Sequence, residues 1–101
     1  MIAPIPWLER TFSWNVPVNL LPNIVERLRG TPARLEDRIG GLPRSVLTAR
    51  NGSAWSIQEH AGHLLDIGTL ELKRLAEYAL GQERLSAADL GNRKTTEARH
   101  N

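Results

Sequence analysis

A long amphipathic helix in the second half of the chain constrains the fold more than any other feature. Ser53 or Ser56 can begin it, Glu59 follows Ser56 at capping-box spacing, and Gly81 can end it. Between them, apolar and small residues recur at spacings of three and four, which places them on one helix face. We call this set the apolar stripe: Ile57, Ala61, Leu64, Gly68, Leu72, Leu75 and Ala79. Such a helix predicts an all-α fold with the stripe in the core.

A second helical region precedes it. Apolar residues over residues 20–39 repeat at helical spacing, but Gly30 can end a helix, and Thr31 can cap a new one with Pro32 at its first position. The pattern therefore predicts a kinked or broken helix from about residue 20 to residue 39, followed by a loop over residues 40–54.

The two ends of the chain differ in character. Residues 1–17 hold three of the six prolines together with Trp7, Phe12 and Trp14, which predicts an extended segment that covers one end of the core. Toward the other end, a short capped turn is predicted at residues 86–89, and a third helix is predicted to begin at Thr95 or Thr96. Two main helices with broad apolar faces cannot bury them against each other alone. Either copies of the chain associate, or the chain is the front part of a longer domain.

Composition narrows the class of protein. A chain of 101 residues forms one domain at most, and 41% hydrophobic with 24% charged residues is typical of a globular protein. The net charge of only +2 argues against nucleic acid as the main partner. The chain has no cysteine, no apolar run near the roughly 20 residues of a membrane span, and no signal-peptide pattern at its start. We therefore expect a cytoplasmic protein with no membrane partner.

Two histidines on the long helix are the candidates for chemistry. His60 and His63 are three residues apart, so both imidazoles can reach one ion. Since a zinc-type site needs three or four ligands, oxygen ligands from Glu59 and Asp66 or the imidazole of His100 would have to complete it. The alternative is that the histidines are hydrogen-bonded helix residues without a metal. No residue is identified as catalytic from the spacing alone.

Three segments resemble one known family. Residues 55–66 read Trp-Ser-Ile-Gln-Glu-His-Ala-Gly-His-Leu-Leu-Asp, which resembles the second helix of DinB-like proteins, where a tryptophan leads the helix and a histidine follows about two turns on. Residues 20–35 resemble the first helix of that family, and residues 89–101 resemble the approach to its third helix. The resemblance covers nearly the whole chain, in order.

The resemblance implies a fold and a metal site. Members form an up-down four-helix bundle, often dimeric, with three histidines that bind a divalent metal such as Zn²⁺, Ni²⁺ or Mn²⁺. By position His63 is the ligand from the second helix, whereas His60 and His100 do not match ligand positions. The other two ligands lie on a later helix, which this sequence does not reach. Residues 1–101 therefore correspond to a single DinB-like domain that lacks the C-terminal helices, and its three-histidine site is incomplete in one copy.

Two functions follow as expectations. In members with a known activity, the metal activates a thiol or a water, so the first is a metal-dependent hydrolase or thiol transferase acting on a small molecule that the sequence does not identify. The second is a non-catalytic helical oligomerisation module, in which a dimer or larger homo-oligomer covers the apolar faces.

Overall fold

The computed structural model describes residues 3–101, apart from the side chain of Trp7, and all regular structure in that range is helical. The chain divides into two compact units, Met1–Gly40 and Gly41–Asn101. The α-helices are α1 (Leu21–Arg29), α2 (Thr31–Ile39), α3 (Arg44–Leu47), α4 (Ile57–Ala79) and α5 (Arg93–Ala98), with 3-10 turns at Trp7–Glu9 and Val18–Leu20. The all-α prediction is confirmed for this range. None of the helices in residues 3–101 combines the length and apolar character needed to cross a membrane.

The predicted break in the first helical region is present. α1 ends at Gly30, and α2 starts immediately after it with Pro32 in its first turn. Gly30 keeps a helical backbone conformation, with φ −80° and ψ −7°, so the break is a kink rather than a loop. The hydroxyl of Thr31 donates to the carbonyl oxygen of Arg27 at 3.1 Å instead of capping α2, and Arg34 donates to the same oxygen at 2.6 Å.

The N-terminal aromatic residues do not cover a core. Phe12 and Trp14 contact each other, with ring centroids 6.3 Å apart, yet they are 50% and 91% exposed. The expectation that they bury themselves against the helices is therefore wrong for these two residues. For Met1, Ile2 and the side chain of Trp7 the same expectation lies outside the described part of the chain.

α4 begins and ends as the sequence predicts. Ser56 is its N-cap in a complete capping box with Glu59. At the other end Gly81 adopts φ +72°, and its N–H donates to the carbonyl of Tyr78 at 3.0 Å. Gln82 N–H donates to the Glu77 carbonyl at 3.1 Å, so the helix ends in a Schellman motif, in which glycine supplies the left-handed conformation.

Two short helices differ from the prediction. α3 lies inside the stretch 40–54 that was expected to be a loop, and it follows Pro43, which sets an extended start. α5 begins at Arg93, two residues before the predicted Thr95, because the Asp89 carboxylate accepts hydrogen bonds from the N–H groups of Arg93 and Lys94 at 3.1 and 2.9 Å. These bonds hold the pKa of Asp89 below its usual value. The short capped turn expected at residues 86–89 is irregular chain instead.

The apolar stripe is not a core in this chain. Among the described residues no hydrophobic side chain is buried, whereas Ser56, Glu59, Glu77 and Thr95 are. On an ideal helix Glu59, Asp66 and Glu77 lie about 180° from the centre of the stripe. α4 therefore packs through its polar face, which we define as Glu59, His63, Asp66 and Glu77, and the prediction of a buried stripe is wrong within the chain.

Candidate functional site

The start of α4 is held by a cluster of polar side chains. Ser56 is 1% exposed, its hydroxyl accepts from Glu59 N–H at 3.1 Å, and the Glu59 carboxylate accepts from Ser56 N–H at 3.1 Å. Arg50 donates two hydrogen bonds to the same carboxylate, at 2.6 and 2.5 Å. The Arg50 bonds, followed by the Ser56 N–H, lower the pKa of Glu59 to about 2. Glu59 is thus an ionised structural anchor with its oxygens occupied.

Asp66 is the centre of a second cluster, which joins α4 to the C-terminal segment. Its Oδ2 accepts from the hydroxyl of Thr95 at 2.7 Å and from Nε2 of His100 at 2.9 Å. Both bonds stabilise the ionised carboxylate and hold the pKa of Asp66 below its usual value, the His100 bond contributing most.

The same cluster determines which nitrogen of His63 carries a proton. Nδ1 of His63 lies 2.9 Å from Oγ1 of Thr95. A hydroxyl has a single hydrogen, and Thr95 gives it to the carboxylate of Asp66, which cannot donate when ionised. Nδ1 of His63 is therefore the donor to Thr95, and Nε2 of neutral His63 presents a lone pair.

The C-terminal segment crosses α4 at a glycine. The imidazole of His100 occupies the space that a Cβ atom on Gly62 would need, so the ring lies directly against the helix backbone. The His100 carbonyl oxygen accepts from the side chain of Gln58 at 2.5 Å, and the side chain of Asn101 accepts from the Ser56 hydroxyl at 2.5 Å. Every side chain in this contact is held by a hydrogen bond or a close packing partner.

The structure brings three of the candidate metal ligands together but leaves the others apart. His63, Asp66 and His100 belong to one hydrogen-bonded cluster, in which Asp66 binds His100 directly and is linked to His63 through Thr95. His60 is exposed, with its ring 5.3 Å from Trp55, which also lies 5.0 Å from the ring of His63. Within residues 3–101 no group of three or more His, Asp or Glu side chains is placed to hold a metal ion. These residues do not form a complete metal centre, and the ligand role of His63 stays a prediction.

Several residues of the site have no signal in the sequence pattern. Arg50 lies in a loop, and Thr95 and Asn101 are distant from α4 in sequence, so no spacing rule connects them to Ser56 or Asp66. A weak signal exists at Gly62, because glycine inside a helix indicates that another group approaches the backbone closely. It was not predicted to contact His100.

The opposite side of α4 is an exposed apolar surface. Of the stripe residues, Leu72 and Leu75 are 71% and 64% exposed, and Leu64 is 49% exposed. The charged neighbour Glu71 forms an ion pair with Arg74 at 3.0 Å, and Arg74 also donates to the carbonyl of Ser86 at 2.8 Å. The carboxylates on one side of α4 thus have hydrogen-bond partners within the chain, whereas the apolar stripe on the other side is exposed to solvent.

Comparison of the chain with protein-family models, curated proteins and solved structures finds no match. The DinB-like resemblance therefore rests on the sequence pattern alone.

Proposed function

We propose that this chain is a helical association module and that the apolar stripe of α4 is its binding surface. The observation that supports the proposal is the way α4 packs. Glu59 and Glu77 on its polar face are buried, whereas Leu72 and Leu75 on the apolar stripe are exposed to water. Full burial of a leucine side chain is favourable by roughly 1.5–3 kcal/mol. Exposed apolar surface of this extent on a long helix is typical of surfaces that bind another protein.

The polar face of α4 supports this division of roles. It is occupied by the chain's own loops and C-terminal segment, through the carboxylates of Glu59, Asp66 and Glu77. Among the described residues no buried polar side-chain atom lacks a hydrogen-bond partner. The buried atoms of the polar face therefore have their partners within the chain, whereas the apolar stripe gains free energy when another apolar helix covers it.

Sedimentation velocity over a range of protein concentrations tests the proposal. We expect a concentration-dependent oligomer that Leu75→Lys weakens, because the substitution places a charge in the stripe. Leu80→Lys is the matched control, since Leu80 is 77% exposed but lies at the end of α4, away from the stripe. A monomer at every concentration, or equal effects of the two substitutions, contradicts the proposal.

A second candidate is the metal-dependent hydrolase or thiol transferase that the resemblance implies. The observation in its favour is His63, whose Nδ1–H is held by Thr95 and Asp66 so that Nε2 is available. Histidine ligands to metals are commonly oriented in this way through their other nitrogen. Further ligands would have to come from outside the described residues or from another chain.

Metal content tests the second candidate. Purified protein is incubated with Zn²⁺, Ni²⁺ or Mn²⁺ and analysed by elemental mass spectrometry. We expect His63→Ala to lose a stoichiometric metal and His60→Ala to keep it. Equal metal content in both variants and the parent protein argues against His63 as a ligand.

A further inference from the structure

The spacing of residues in the apolar stripe is symmetric about Gly68. From Gly68 the stripe residues follow at spacings of four, three and four toward either end of α4. Two copies of the helix placed antiparallel around Gly68 therefore bring every stripe residue of one copy opposite a stripe residue of the other. This symmetry is a requirement for a two-fold contact between identical surfaces.

Side-chain size is complementary in the same arrangement. The antiparallel pairs around Gly68 are Ile57 with Ala79, Ala61 with Leu75, and Leu64 with Leu72. Thus Ile57 and Leu75, the large residues away from the centre, each meet an alanine. In a parallel pair each residue would face its own copy, so alanine layers would leave gaps between layers of paired leucines. Because close packing governs helix contacts, the antiparallel arrangement is favoured.

Charge is compatible with this pairing. Glu71, the charged residue beside the stripe, is neutralised by Arg74 of its own helix at 3.0 Å. The other border of the stripe carries Gln58, Leu65, Thr69 and Ala76, which are uncharged. An antiparallel pair also places the positive end of each helix dipole beside the negative end of the other.

Gly68 gives an independent indication of a close approach. Glycine inside a helix is destabilising relative to alanine. At Gly62 the reason is the imidazole of His100, but a Cβ on Gly68 would meet nothing within 4 Å. The described structure of the single chain therefore contains no contact that requires glycine at this position, whereas a helix crossing at Gly68 would.

We propose that the occupant of the apolar stripe is a second copy of this chain, with α4 antiparallel to α4 and the two-fold axis at Gly68. This inference rests on the proposed association function and adds the partner and its register. Because a single helix pair forms a small interface, the dimer is expected to dissociate on dilution.

Disulfide cross-linking reads out the register, because the chain has no cysteine of its own. Ala61→Cys and Leu75→Cys variants, one carrying a mass tag, are mixed, oxidised and analysed by mass spectrometry. We expect the 61–75 heterodimer to dominate over either homodimer. Lys73→Cys, on an exposed position away from the stripe, measures random collision.

Each other outcome overturns a different statement. Preferential 61–61 and 75–75 homodimers indicate a parallel pair and overturn the register. The register is also overturned if the 61–75 pair cross-links no more than Lys73→Cys does. The association function still stands in that case if Leu75→Lys weakens the oligomer. A monomer at every concentration overturns both.

Substitution of Gly68 tests the crossing point directly. Gly68→Leu meets no obstacle within the single chain, so its helicity should not fall. If the helices cross there, the added side chain separates them, and we expect the dissociation constant to rise about tenfold or more. Lys73→Leu adds an apolar side chain elsewhere on α4 and should not weaken the dimer. Equal dissociation constants for Gly68→Leu and the parent protein overturn the proposed crossing.

Discussion

Substitution of Gly62 by alanine tests whether the C-terminal segment lies on α4 as described. The methyl group of alanine would enter the imidazole ring of His100, so either the ring or the helix must move. The same substitution improves the intrinsic helix propensity of α4. Two effects of opposite sign therefore act on the free energy of unfolding, and the contact with His100 determines which of them is larger.

The magnitudes follow from the geometry. Without the His100 ring, alanine for glycine inside a helix stabilises by about 1 kcal/mol. With the ring in place, insertion of a methyl group into an occupied position costs roughly 1–3 kcal/mol. We therefore expect Gly62→Ala to be neutral or destabilising in the parent protein, by up to about 2 kcal/mol, and stabilising by about 1 kcal/mol in a His100→Ala background.

Thermal unfolding by circular dichroism of the four proteins, at one fixed concentration, measures this coupling. The concentration must be the same because association shifts the apparent stability. The NMR chemical shifts of the His100 imidazole report separately on the docking of the C-terminal segment, and they should change in Gly62→Ala. If Gly62→Ala stabilises both backgrounds equally, His100 does not lie on Gly62 and the described packing is refuted.

Three further results are expected. Ser56→Ala removes the N-cap of α4 and should destabilise the helix by roughly 0.5–2 kcal/mol in thermal unfolding; an unchanged melting curve contradicts the capping role. The pKa of Glu59 is lowered from 4.5 to about 2, so the stabilisation by its carboxylate is complete above about pH 4.5 and is lost as the pH falls toward 2. The difference in unfolding free energy between Glu59→Gln and the parent protein should shrink over that window, and a constant difference would argue against the Arg50 ion pair. Leu72→Ala removes three carbons worth about 0.8 kcal/mol each, and since Leu72 is 71% exposed, two copies lose about 3.4 kcal/mol. Sedimentation should show dissociation about 300-fold easier than for the parent protein, with Leu90→Ala unchanged; similar shifts for both variants would refute the role of the stripe.

Local sequence signals predicted the bounds of the main helices well. The capping box at Ser56, the break at Gly30 and the ending at Gly81 each depend on residues within one turn of each other. Their outcome is determined by local backbone hydrogen bonds and by the conformational freedom of glycine. α3 and the start of α5 were missed because Pro43 and Asp89 act as helix starts without the usual Ser or Thr pattern directly before the helix.

The contents of the candidate site were predicted only in part. His63 and Asp66 were identified on α4, but their connection runs through Thr95, which lies 32 residues after His63. Helical periodicity describes which residues share a face, yet it carries no information about a segment that returns to that face. The role of Gly62 under His100 was missed for the same reason.

The sequence by itself determined that the chain is helical, where α4 begins and ends, and which residues form its apolar stripe, because these depend on contacts within a few residues. The tertiary structure decided which face of α4 is packed. The loop with Arg50 and the segment with Thr95 and His100 offer hydrogen-bond donors, which bind the carboxylates of Glu59 and Asp66 and leave the stripe exposed. A buried carboxylate requires hydrogen-bond donors at defined positions, whereas an apolar surface requires no particular partner.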